Sequence, residues 1–423
     1  MNILVLGSGG RESAFAWKIS QSAACAQLFI APGNGGTGAY GKNINLNPND
    51  FEAVKALVLK ENIELVVVGP EEPLVRGIHD FFLADEALAK IPVIGPKSEG
   101  AILEGSKDFS KQFMARHGIP TPGSESFSNE SLQEGLAYLD NHSLPIVLKA
   151  DGLAAGKGVV ICQTVAEAKE ELQAMLGGKF GSAGSLVVIE EYLTGIELSV
   201  FVLTDGDNYV ILPEAKDYKK IGQGDSGLNT GGMGSVSPVP FADQAFLDKV
   251  EQKIIIPTIE GLKKDGIDYS GFIFFGLFKV GDEPLIIEYN CRMGDPETES
   301  VIPRIENDLV ELFMATAKKQ LKDYKLSISP KNAATVMVVA GGYPGDYEKG
   351  KTITGIDNVR QSVVFHAGTV LESGVIKTNG GRVIAVTSLQ DNQFDALQSA
   401  TADAARLYFD GKYFREDIGF DLV

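Results

Sequence analysis

Cysteine, histidine and positive charge are all scarce in this chain of 423 residues, and each scarcity closes off some chemistry. The three cysteines, Cys25, Cys162 and Cys291, are widely spaced and odd in number, which indicates neither a disulfide framework nor a zinc site. The four histidines, His79, His117, His142 and His366, fall in no metal-binding spacing. Against 56 Asp and Glu stand only 38 Lys and Arg, a net charge of −18, so nucleic acid is not an expected partner. Small phosphorylated ligands remain open, because a few local Lys and Arg suffice for them. No run approaches the ~20 apolar residues that a membrane span needs. The chain passes from Met1 directly into a short strand, Ile3–Leu6, without the basic region and long apolar run of a signal peptide. The expected location is cytoplasmic, with no membrane contact. There are no repeats and no long low-complexity segment.

What is present is the composition of a soluble globular protein, 44% apolar and 22% charged. At ~150 residues per domain, the length suggests about three domains. The first hundred residues alternate apolar strands (Ile3–Leu6, Leu28–Ile30, Leu65–Val68, Pro92–Ile94) with helices (Arg11–Ser20, Phe51–Lys60). Strands apolar throughout imply a parallel sheet covered on both faces. Ligands of such sheets sit beyond the strand carboxyl ends, where Gly7–Gly10, Gly33–Gly36 and Gly69–Glu72 lie. A helix is predicted from about Lys107 to His117. Beyond the break at 118–122 the pattern turns to strands with short returns: Ile146–Ala150, Val159–Cys162, Leu186–Glu191, Glu197–Leu203 and Tyr209–Leu212, with one helix from about Val165 to Met175. A polar Gly-rich loop is expected from Lys219 to Gly234. Strands return at Phe272–Val280 and Leu285–Tyr289. A linker is expected at Lys325–Lys331, and then a region of short strands with one helix from about Phe394 to Tyr408.

The most informative stretch runs from Ile286 to Glu297. Regular alternation would point Ile286, Glu288 and Asn290 the same way. A carboxylate and an amide oxygen side by side suit Mg²⁺, a hard cation that shares its shell with substrate phosphates. Arg292 follows, a fork for a carboxylate or phosphate, and then Asp295. The run Lys149–Val159 joins two strands through a Gly-rich hairpin that carries Gly156, Lys157 and Gly158. A Walker loop would need Ser or Thr after the Gly-Lys and then a helix. This sequence instead suits a flap over phosphates, or an exposed hairpin. Gly7-Ser8-Gly9-Gly10-Arg11-Glu12 lies between strand and helix, where glycines and free N–H groups admit an anion. A plain tight turn fits it equally. Ile189–Glu197 sets carboxylates beside apolar side chains, as a nucleoside site would, or as a solvated acidic edge would. The segment from Lys216 to Gly234 is open between a phosphate-closing loop and a solvated one. Gly380-Gly381-Arg382 is equally a wall of a substrate site or a turn.

Taken together these segments resemble the ATP-grasp ligases. Lys107 in Leu-Glu-Gly-Ser-Lys, the Lys149–Gly158 flap, the Glu190–Glu197 hinge and the Glu288/Asn290 strand occur in the order of that superfamily. Gly-Ser-Gly-Gly-Arg-Glu at 7–12, Val-Gly-Pro-Glu-Glu-Pro-Leu at 68–74, Asn-Thr-Gly-Gly-Met-Gly at 229–234 and Cys-Arg-Met-Gly-Asp-Pro-Glu at 291–297 narrow it to the glycinamide ribonucleotide synthetases, the phosphoribosylamine–glycine ligases. The resemblance covers essentially the whole chain. Ser13 stands where many members carry His, and Tyr218 and Lys220 where His and Arg are frequent.

The resemblance implies a multidomain α/β and α+β fold. Its expected parts are an N-terminal Rossmann-like parallel sheet (1–103), an ATP-grasp core (104–325, with a mobile flap subdomain at about 120–190) and a small C-terminal mixed β-rich domain (326–423). It implies ligation of glycine to 5-phosphoribosylamine through a glycyl phosphate, with ATP split to ADP and phosphate, in purine biosynthesis. It assigns ATP phosphates to Lys107, Lys149 and the Gly156–Gly158 flap. Adenosine falls to Glu190, Glu191, Leu193 and Glu197, and Mg²⁺ or Mn²⁺ to Glu288 and Asn290. The developing acyl phosphate falls to Arg292, and closure over the transferred group to Asp217 and Lys219. The glycine ammonium falls to Asp295, and phosphoribosylamine to Gly9, Gly10 and Glu12. It leaves room for transient contact with the enzyme that makes phosphoribosylamine. The competing readings are another ATP-grasp carboxylate–amine ligase and a catalytically silent ATP-binding protein.

Overall fold

In the N-terminal region, short apolar runs pair side by side because each presents apolar side chains to both faces. The computed structural model describes residues 1–152 and 158–422. Five parallel strands lie in the order Lys42–Asn43, Gln27–Pro32, Asn2–Gly7, Leu65–Val68, Val93–Ile94. Along the central strand, Ile3 and Val5 enter one apolar core while Leu4 and Leu6 enter another, as a strand period of two requires. The edge strand Lys42–Asn43 has only two residues and no apolar pattern, and the sequence gives no sign of it.

An antiparallel sheet of eight strands forms the body of the molecule, in the order Glu283–Asn290, Gly271–Val280, Ile196–Thr204, Tyr209–Asp217, Gly234–Ser237, Asn332–Val339, Arg382–Gln390, Ser362–His366. It shares both cores with the parallel sheet. Phe201 and Phe274 face the core of Ile3 and Val5, while Val200 and Phe275 face that of Leu4 and Leu6. The strands after residue 331 therefore prolong the central sheet through Gly234–Ser237, with helix Gln393–Arg406 packing Ala396, Ala400 and Ala404 against them. A third core, drawn from Phe127 to Ile189, belongs to a separate four-stranded sheet, Ser124–Ser128, Leu186–Glu191, Ile146–Ala150 and Val159–Cys162.

Some expectations need correction. Tyr209 begins a strand that continues to Asp217, because alternation persists beyond Leu212 with Ala215 buried. The expected loop from Lys219 to Gly234 contains a hairpin, Lys220–Gly222 paired with Ser226–Asn229. Helices Leu132–Leu139, Ser98–Gly105 and Gln244–Val250 were not expected.

Candidate active site

The strand Glu283–Asn290 meets Gly271–Val280 with a break in register: Gly276 faces Glu288, Leu277 faces Ile286, and Ile287 is the extra residue. This bulge corrects the expectation that Ile286, Glu288 and Asn290 share a face. Ile286 joins Tyr289 and Cys291 in an apolar core, while Glu288 and Asn290 line a cavity of about 720 Å³. A Cβ on Gly276 would lie 2.9 Å from Glu288 Cγ, so glycine leaves room for that carboxylate. Burial works against ionisation of Glu288, but Lys219, Lys149, Lys107 and Arg292 outweigh it and hold its carboxyl below the usual range. Asn290 Nδ2 is buried without a hydrogen-bond partner.

Lysines come from both sides of the cavity. Lys107 starts the helix Lys107–His117 and donates to the carbonyls of Gly152 (3.2 Å) and Asp151 (3.4 Å). Burial lowers its pKa, with Lys149 adding to the effect. On the four-stranded sheet Lys149 contacts Glu190 Oε2 at 2.8 Å and donates to Ile287 O at 3.3 Å. Gly158 also lines the cavity. Gly156 and Lys157 lie outside the described residues. Glu191 is exposed and accepts from the Gly123 amide at 3.0 Å; neither it nor Leu193 lines the cavity. Glu197 pairs with Lys219, whose Nζ is 3.9 Å from Asp217. Burial opposes the charge of Lys219, yet Asp217 and Glu197 raise its pKa well above the usual value. Burial also raises the Asp217 carboxyl.

Arg292 is gripped by Glu104 (2.8 Å) and Glu71 (3.4 Å) and donates to Met293 O. Asp295 lies 3.0 Å from Arg382 and accepts from the Arg11 amide at 3.2 Å. Burial opposes its charge, but Arg382 and Arg11 keep its carboxyl below the ordinary value. At the head of helix Gly10–Ile19, Glu12 turns back to accept from the Gly9 amide (2.5 Å) and pairs with Arg11 (2.6 Å). Two N–H groups expected to be free for an anion are thus taken by Glu12 and Asp295. Gly10 does not line the cavity; Gly9 and Glu12 do. The three unusual residues have local partners. Ser13 donates to His366 O and accepts from Asn34. Tyr218 donates to Asp421, and the Lys220 carbonyl accepts from Arg415.

Several lining residues escaped the sequence. Lys111 lies four residues after Lys107 on one helix face, a spacing that could have revealed it. It sits 3.2 Å from Glu190, and burial pushes its pKa down to about 8. Glu71, Glu104 and Glu297 gave no signal beyond belonging to quoted motifs, since their partners are remote in sequence. Arg382, left open between wall and turn, is a wall: it lines the cavity and holds Asp295. The result is a polar cavity walled by both larger sheets and the four-stranded sheet. It offers cations for phosphates, an ionised carboxylate beside an amide for a hard cation, and opposed charges for a zwitterion.

Three family models match consecutive parts of the chain: Phosphoribosylglycinamide synthetase, N domain, over 1–104; its ATP-grasp (A) domain over 105–298; and its C domain over 333–421. The phosphoribosylamine–glycine ligase of Pasteurella multocida is 44% identical over 100% of this chain and 98% of its own. That of Vibrio cholerae is 43% identical over 100% and 99%. The crystal structure of the Thermotoga maritima phosphoribosylamine–glycine ligase superposes with a TM-score of 0.85 at 34% identity, covering 99% of this chain and all (100%) of that one. The biotin carboxylase domain of Hydrogenobacter thermophilus 2-oxoglutarate carboxylase, at 17% identity and a TM-score of 0.72 over 99% of this chain and 92% of its own, shares the fold.

Proposed function

The chain belongs to the phosphoribosylglycinamide synthetase family, and from that premise we propose that it joins glycine to 5-phosphoribosylamine, with ATP split to ADP and phosphate, in purine biosynthesis. A carboxylate is a poor electrophile. Phosphorylating the glycine carboxylate supplies a leaving group, after which the amine attacks the acyl phosphate. The protein's part is then positioning and charge neutralisation.

The observation that carries this reading is the convergence of Lys107, Gly158, Glu288, Asn290, Arg292 and Asp295 on one cavity. In this reading Lys107 and Lys149 hold the ATP phosphates, with Gly158 lining the same cavity. The strand end from Glu190 to Glu197 takes adenosine. Lys219 and Asp217 close on the transferred group, and Arg292 stabilises the developing acyl phosphate. Asp295, steadied by Arg382, takes the glycine ammonium. The Gly9–Glu12 turn meets phosphoribosylamine. The ATP-grasp family uses ATP with a divalent metal. The residues fit such an ion: Glu288 is held ionised, and Asn290, two residues on and lining the same cavity, carries an amide oxygen of the kind a hard cation takes. Among the described residues no three His, Cys, Asp or Glu side chains gather as a metal site, which suits a cation that completes its shell with phosphate and water. Glu288 and Asn290 would hold Mg²⁺ or Mn²⁺, which when bound neutralises phosphate charge. No helix of the described residues is long and apolar enough to cross a membrane.

ADP release, followed with ATP, Mg²⁺ and glycine, with and without freshly generated phosphoribosylamine, tests the proposal. Release that needs both co-substrates is the expected result. Release with glycine and a different amine, but not with phosphoribosylamine, would move the chain to another ligase activity.

A further inference from the structure

Glu297 opens the short helix Glu297–Val301 and lines the cavity, only 4% exposed. Around the cavity Glu12, Glu71, Glu104, Glu190, Asp217 and Asp295 each face a Lys or Arg within ion-pairing distance. The exposed Glu72 pairs with Arg76. Glu288 belongs to the cation in the reading above. Among the described residues Glu297 has no such cation; its polar contacts are a 3.3 Å hydrogen bond donated by Ser199 Oγ and one from its own backbone amide. It therefore stands as a lightly held carboxyl among the groups assigned to glycine and the transferred phosphate.

We propose that Glu297 is the general base of the amide-forming half-reaction, taking the proton that the phosphoribosylamine nitrogen sheds as it bonds to the glycyl carbonyl carbon. The inference rests on the ligase reading above. In the step, the C–N bond forms and the C–O bond to phosphate breaks. Phosphate leaves with the bonding electron pair, and one N–H proton passes to the Glu297 carboxylate, which returns it to water after product release. Burial pushes the Glu297 carboxyl up to about 7; Asp217 adds to the rise, while Lys219 and Arg292 oppose it. Arg382 and Glu299 also face it. A base poised near the working pH combines availability with driving force. The cation-paired carboxylates around it make weaker bases.

The test is Glu297→Gln, assayed with two nucleophiles. Hydroxylamine traps glycyl phosphate as the hydroxamate and is weakly basic, so its adduct loses a proton to water readily. With phosphoribosylamine the variant should lose about 10²–10⁴-fold in kcat, the range of general-base catalysis. Hydroxamate formation from ATP and glycine should survive, which also reports that the variant is folded. Wild-type kcat should fall as pH drops below about 7, and the variant should lack that limb. Near-wild-type turnover with phosphoribosylamine, or parallel loss of both activities, would overturn the assignment. A wild-type enzyme that makes neither product would instead overturn the ligase reading, and this inference with it.

Discussion

Arg292 is held from two sides before any substrate arrives, and that sets what its removal does. Its guanidinium answers Glu104, whose side chain is only 7% exposed, and Glu71. Arg292→Ala should reduce kcat by about 10²–10³, the usual loss of one transition-state donor, while ATP binding persists. It should also lower stability by about 3 kcal/mol, because Glu104 is left buried without its cation. Steady-state kinetics and thermal melting would check both, and a fully active variant would refute the role. His366 carries a different consequence. Burial lowers its pKa from 6.5 to about 4. Between those values the unfolded chain binds more protons than the folded one. Its contribution is therefore present above pH 6.5 and lost as pH falls toward 4, about 3 kcal/mol in all. Stability measured across that range should show this loss, and His366→Gln should flatten it. At this scale Glu288, Asn290, Arg292 and Asp295 were legible because they crowd behind one apolar strand. Glu297 was not, since its significance depends on which carboxylates have cations nearby, and those cations come mostly from distant parts of the chain; of Lys111 the spacing from Lys107 gave the helix face but not the distant partner Glu190.

At the scale of elements, the bulge at Ile287 deserves a direct test because it aims the two polar residues into the cavity. Gly276 faces it, and a methyl there would press on Glu288 Cγ. Gly276→Ala should raise the metal concentration for half-maximal activity about 10-fold, as displaced ligand support does elsewhere. Titration with Mg²⁺ would measure it, and an unchanged requirement would contradict the cation role of Glu288. Helices Phe51–Lys60 and Lys107–His117 fall within the ranges expected for them, the first from its apolar periodicity. The bulge left no trace in the sequence, because it is set by register against a partner strand. The hairpin at 220–229 was hidden for a related reason: its strands are short, polar and Gly-rich, and they are stabilised from outside. Arg415, fully buried, reaches Asp225 and the Lys220 carbonyl from near the other end of the chain.

At the scale of the whole molecule, the site is not the property of one region. The turn after the first parallel strand supplies Gly9 and Glu12, the central sheet Glu288 and Asn290, the four-stranded sheet Glu190, and the strand Arg382–Gln390 its first residue. The parallel sheet was readable from the alternation of apolar runs, and the ATP-grasp core from the family resemblance. The sharing of one eight-stranded sheet across residues 196–390 was not, because sheet continuation through Gly234–Ser237 depends on pairing between distant segments. Arg382 makes this sharing functional. Arg382→Met should raise KM for glycine about 10–100-fold, the loss of a hydrogen bond to a charged group, and leave KM for ATP nearly unchanged. Equal effects on both would mean that the strand merely supports the fold.

Everything proposed for this site turns on the glycine carboxylate being phosphorylated before the amine attacks. Glycine labelled with ¹⁸O in both carboxylate oxygens, turned over with ATP and phosphoribosylamine, tests it most directly by mass spectrometry of the released phosphate. One ¹⁸O should appear in each phosphate and one remain in the amide product. Unlabelled phosphate beside an amide product would contradict it.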